Sequence, residues 1–91
     1  MIKVLMICHG NICRSPMAQF VLQDMVNKKG LESQFEIYSA ATSREEIGNG
    51  VHHGTRRKLA QMGVPCRPHR AVQMTPKDYQ YYDYFLIMDE N

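Results

Sequence analysis

Residues 3–8, KVLMIC, form a continuous apolar run of strand length, and YFLIM repeats the pattern at 84–88. Strands that alternate apolar and polar residues keep one face in water, whereas unbroken runs belong to strands covered on both faces. Between the two runs the periodicity changes. Met17, Phe20, Val21, Met25 and Val26 approximate helical spacing. Ser15 suits a helix cap, Pro16 suits the first turn, and NKKG reads as a charged last turn with a glycine stop. FEIYSA (35–40) has the alternation of a second strand, and TRRKLAQMG (55–63) reads as a second helix ended by Gly63. TPKDYQYYD (75–83) opens with Thr-Pro, a helix-entry signal, and predicts one or two short turns. The polar segment 42–54 is turn-rich, and Pro65 and Pro68 favour an extended path over 64–74. Strand–helix–strand–helix–strand order predicts one α/β domain over 1–91, with a parallel sheet and right-handed crossovers.

The remaining bulk properties narrow the function. Net charge is +2, too weak for a nucleic-acid or anionic-membrane partner, although TRRK and CRPHR are locally basic. No run approaches the roughly 20 apolar residues of a membrane span. The N-terminus reads as a strand without signal-peptide architecture. Cys8, Cys13 and Cys66 cannot all pair internally, so a reducing, cytoplasmic setting with free thiols is expected.

Chemistry concentrates where the first strand meets the first helix, in CHGNICRS (8–15). In parallel α/β sheets, ligands bind outside the carboxyl ends of the strands. A loop running from strand to helix can aim backbone N–H groups inward, and the helix N-terminus adds positive field. Arg14 supplies a planar fork matched to two oxygens of a tetrahedral oxyanion. Gly10 permits unusual backbone angles and Asn11 tolerates left-handed geometry. The same donors would hold Cys8 as a thiolate. A phosphate monoester in this cradle of His9, Gly10, Asn11, Ile12, Cys13 and Arg14 would meet an anionic sulfur, giving a phosphocysteine that water hydrolyses. Ser15 would then hydrogen-bond the leaving thiolate. Zinc is disfavoured, because neither CxxC spacing nor a second cysteine pair is present. No metal or organic cofactor is implied.

VLMICHGNICRSPMAQ resembles the signature of the low-molecular-weight protein tyrosine phosphatases. YSAATS, EIGN, GTRRKLAQMGV and HRAVQMTPKDYQYYDYFLIMDEN resemble the family's later segments, in order. The resemblance implies a three-layer αβα fold with a phosphate-binding loop between strand 1 and helix 1. It implies Cys8 as nucleophile, Arg14 as phosphoryl ligand, Ser15 as aid to the thiolate, and Asn11, Ser39 and His69 as braces of the loop. The implied substrate is a phosphotyrosine protein or a small aryl phosphate, with inorganic phosphate or sulfate able to occupy the loop. Cys13 matches a second loop cysteine that family members use as a redox partner of the nucleophile; the alternative is a small buried residue. Ile12 provides an apolar substrate wall, and SREEIG offers Glu45 where the family commonly has an aromatic residue. The family's general acid lies in a later Asp-Pro loop, and none of Asp24, Asp78, Asp83 and Asp89 precedes a proline. The family's fourth strand and last helices likewise lack a counterpart, so the expectation is an N-terminal portion of the domain that exposes a sheet edge and self-associates. Two other readings share this loop: an oxyanion-binding module without turnover, and a thioredoxin-linked arsenate reductase. Outside the loop, Asp89 at the end of strand 3, the turn residues His52 and His53, and Cys66 are expected to be structural or solvated.

Overall fold

The first apolar run becomes β1 (Ile2–Cys8), and its side chains divide between two cores. Val4 and Met6 pack with Ile37 and Val26 on one face, joined by Ala18 and Leu22. Leu5 and Ile7 pack with Ala40, Met74, Tyr82 and Phe85 on the other. Successive strand residues point to opposite faces, so a run apolar at every position needs both faces covered. The structure, a computed structural model, describes residues 1–88.

Three strands form a parallel sheet in the order β2–β1–β3, with β2 spanning Phe35–Ala41 and β3 Tyr84–Ile87. β1 is central, and Cys8 pairs with Ala41 at the carboxyl edge. One face carries α1 (Arg14–Lys28), against which α2 (His53–Gln61) packs through Phe20, Val51, Leu59 and Val64. The segment around α3 (Pro76–Tyr81) lies over the opposite face, completing three layers.

Helix ends follow local chemistry, with two departures from expectation. Gly63 takes φ +71° just past α2, and the amides of Gly63 and Val64 return to the carbonyls of Ala60 and Leu59. That is the paired-bond stop in which glycine avoids a Cβ clash. At the start of α1, however, Ser15 is not the cap: the helix begins one residue earlier, at Arg14, with Cys13 before it. The Ser15 hydroxyl is committed to Cys8 and Asn11 instead. α2 starts two residues before the expected Thr55, because the His52 imidazole Nδ1 accepts the Gly54 amide and caps the helix. His53 is therefore a helix residue, although both histidines are solvent-exposed as expected.

β3 also departs from its apolar sequence. Tyr84, Leu86 and Ile87 are 59%, 43% and 67% exposed, so the strand is not buried. It pairs with β1 on one side only among the described residues, which makes it an edge strand, and its exposure shows that little packs over its faces.

Candidate active site

Asn11 organises the loop between β1 and α1. It has φ 60°, the left-handed geometry expected of either Gly10 or Asn11, and among the non-glycine residues described it alone has positive φ. Gly10 serves differently: a Cβ there would lie 3.2 Å from the Glu46 side chain. Asn11 is fully buried and every polar group it has is engaged. Its amide N–H donates to Cys8 Sγ at 3.2 Å, and its Nδ2 donates to Ser15 Oγ at 2.8 Å. Its Oδ1 accepts from the Val72 amide at 3.1 Å, and its carbonyl accepts from His69 Nε2 at 2.9 Å.

The direction of the Cys8–Ser15 hydrogen bond follows from this arrangement. Ser15 Oγ lies 3.0 Å from Cys8 Sγ. A hydroxyl has one hydrogen, and an amide NH2 can only donate. Because Asn11 Nδ2 already donates to Ser15 Oγ, the hydroxyl hydrogen is left for the sulfur, which accepts it. Burial by itself raises the Cys8 pKa. The Ser15 hydroxyl and the backbone amides of Ser15, Asn11 and Gly10 outweigh it, and the thiol lies below its ordinary 9.0.

The loop carbonyls are drawn the other way. His9 O accepts from the Ser43 amide and hydroxyl, at 3.1 and 2.9 Å. Ile12 O accepts from the His52 amide at 2.8 Å, and Cys13 O accepts from Met17 N inside α1. With the His69–Asn11 bond, four loop carbonyls are tied outward. A peptide whose carbonyl turns out presents its neighbouring N–H inward, the geometry of an anion-binding nest. Arg14, half-buried, opens α1 directly after this loop.

Other expected site residues are placed less uniformly. Ser39 does not brace the loop: its hydroxyl donates to Gln19 Oε1, tying β2 to α1. Cys13 is exposed, against the buried alternative, and accepts a 3.1 Å hydrogen bond from Thr55 Oγ1. Glu45 pairs with His9 Nε2 at 2.7 Å, both side chains lying largely in solvent. A cleft of about 190 Å³ at Cys8 is lined by Ile7, Cys8, His9, Thr42 and Ile87. Ile12 and Glu45, the expected walls, do not line it; Ile87 supplies its apolar side. Asp24 pairs with Lys28, Asp78 accepts from the Thr75 amide, and Asp83 accepts from the Lys3 amide at the opposite end of β1. Asp89 lies outside the described residues.

Sequence reasoning missed Ser43, His52, Thr55 and Val72. Three of them act through backbone amides, which leave no side-chain signature, and Thr55 reaches Cys13 from 42 residues away.

With this geometry in place, the likeness to known proteins is specific. The family model "Low molecular weight phosphotyrosine protein phosphatase" matches residues 3–91. The chain belongs to this family. It is 42% identical over 89 residues to the low molecular weight protein-tyrosine-phosphatase YfkJ of Bacillus subtilis, covering 98% of this chain and 57% of that protein. The crystal structure of YfkJ superposes with a TM-score of 0.95 over 98% of this chain and 56% of the YfkJ chain. A human low molecular weight phosphotyrosine protein phosphatase is 40% identical, over 98% of this chain and 56% of its own length. A Drosophila arginine phosphatase superposes with a TM-score of 0.90 at 31% identity, over 97% of this chain and 55% of its own. The chain thus spans a little over half the length of the relatives it matches.

Proposed function

We propose that this chain carries the nucleophile and phosphate cradle of a phosphate-monoester hydrolase acting on phosphotyrosine in proteins or on small aryl phosphates. One observation carries the reading: a buried cysteine sulfur receives hydrogen bonds from Ser15 and the Asn11 amide while the loop carbonyls turn away. In the first step the Cys8 thiolate attacks phosphorus in line. An S–P bond forms as the P–O bond to the aryloxide breaks, and the aryloxide leaves with its electron pair and takes up a proton from bulk water. Arg14 and the loop amides of residues 9–14 hold the three non-bridging oxygens, neutralising charge that spreads over them. In the second step water attacks the phosphocysteine. Inorganic phosphate forms, the S–P bond breaks, and the Ser15 hydroxyl stabilises the departing thiolate. No step calls for a metal or organic cofactor. Cys13 is our candidate redox partner of Cys8, a reading that its exposure to oxidants supports. Three free cysteines support a reducing, cytoplasmic setting. Among the described residues, no helix is long and apolar enough to cross a membrane.

The direct test compares p-nitrophenyl phosphate with phenyl phosphate, using Cys8→Ser as control. The expected result is Cys8-dependent release from the first substrate and release slower by roughly 10²–10⁴ from the second, whose leaving group needs a proton. Comparable rates would place an acid at the site, with the His9–Glu45 pair the first candidate. No Cys8-dependent release from either would reduce the chain to an oxyanion-binding module.

A second substrate reading rests on Glu45. Glu45 stands outside the cleft lining and pairs with His9, so it would meet the guanidinium of a bound N-phosphoarginine by exchanging that imidazole for it, and an arginine phosphatase shares the fold. Faster turnover of phosphoarginine than of phosphotyrosine, reversed in Glu45→Trp, would establish it.

A further inference from the structure

We propose a second, non-catalytic anion site in the cleft formed by Gly50, Arg56, Pro68, His69 and Arg70, which takes a phosphate group. The cleft measures about 430 Å³, and His69 joins it to the Cys8 loop through the Asn11 carbonyl. Among the described residues, two arginines and a histidine line it, and no carboxylate does. Both arginines are exposed, and a hydrogen bond to a backbone carbonyl restrains each. Arg56 Nε donates to the Val51 carbonyl at 3.1 Å, and Arg70 Nη1 donates to the Gly48 carbonyl at 2.9 Å. Each guanidinium has five N–H donors, so each keeps further donors for a ligand while its flexible stem is held. Restraining a long side chain before binding lowers an entropic cost that otherwise weakens a surface arginine.

Gly50 is part of this construction. A Cβ built there would stand 3.0 Å from Arg56 Nη2 and 3.7 Å from the His69 carbonyl. The bare backbone leaves room for the guanidinium to approach it closely. Two restrained planar cations match a tetrahedral dianion better than a carboxylate or a neutral group.

The site also reaches the loop. His69 Nε2 meets a carbonyl, so it carries a hydrogen and donates to Asn11 O. An anion beside the ring polarises that donation and tightens the hold on Asn11, the residue that positions both Ser15 and the Cys8 amide contact. By linkage, an anion in either place favours occupancy of the other.

The test is a titration of the 91-residue chain with inorganic phosphate at low ionic strength, followed by amide NMR. The expected result is two events: one moves Asn11 and Cys13, the other moves Gly50, Arg56 and Arg70. Arg56→Gln with Arg70→Gln should weaken the second event at least about tenfold, as expected from losing charge-assisted hydrogen bonds, while the first persists. Arg14→Gln should do the converse, so failure of the loop reading and failure of this one are distinguishable. If the double variant does not keep a folded spectrum, Gly50→Ala reads the same loss without removing a charge. A peptide phosphorylated on serine, which supplies the group from a protein, separates a phosphoprotein contact from capture of free phosphate. Absence of shifts at Gly50, Arg56 and Arg70, or shifts whose affinity the variants leave unchanged, would overturn the site.

Discussion

At the residue scale, Asn11 holds together what CHGNICRS only suggests. Replacing it by alanine deprives the Val72 amide of its acceptor, leaves Ser15 one donor short and puts a Cβ-only side chain at φ 60°. The expected cost is about 2–4 kcal/mol, from one buried amide left unpaired plus left-handed strain, measured by urea unfolding. The pH dependence of Cys8 follows from its donors. Its folded pKa lies below the ordinary 9.0, so the stability it contributes is fully present above pH 9 and is lost as pH falls through the folded value. Thiolate absorbance should therefore titrate below pH 9 in the native chain. Ser15→Ala should move the midpoint upward, and an unmoved midpoint would remove Ser15 from the account.

At the element scale, the reading of sequence succeeds where physics is local. β1, α1 and the loop between them are contiguous, so hydrophobic period, the Gly30 stop and the Cys-to-Arg spacing all lie in one window. Contacts that close the site from a distance are less legible. The Ser39 hydroxyl could face either the loop or α1, and only packing brings Gln19 to it. β3 is apolar in sequence yet exposed, because burial depends on neighbours rather than on composition. Tyr82, just after α3, shows burial acting on chemistry. Packed with Leu5, Ile7 and Ala40, it loses solvation, and the charges of Asp78 and Glu36 add to the effect, pushing its pKa up to about 12. A phenol held neutral in this way favours folding below pH 10, its unfolded value, and that contribution is lost as pH rises through about 12. An alkaline absorbance titration should show a tyrosine ionising near 12, and Tyr82→Phe should remove that step.

For the whole molecule, the sheet combines a protected interior with an open margin. β1 is covered on both faces, whereas β3 presents Tyr84, Leu86 and Ile87 to solvent. An apolar strand edge pairs readily with another copy. Light scattering of this chain is expected to show concentration-dependent association, reduced in Ile87→Lys. A monodisperse monomer at all concentrations would contradict it. Because Ile87 also lines the cleft at Cys8, any association through this strand is expected to slow turnover of p-nitrophenyl phosphate as protein concentration rises.

The central claim is covalent: phosphorus passes through the sulfur of Cys8. Acid quenching during turnover of p-nitrophenyl phosphate, followed by peptide mass spectrometry, tests it most directly. A phosphoryl group on the peptide bearing Cys8, absent from the Cys8→Ser chain, is the predicted result. Cys8-dependent release of p-nitrophenol with the phosphoryl group found on another residue would contradict the account.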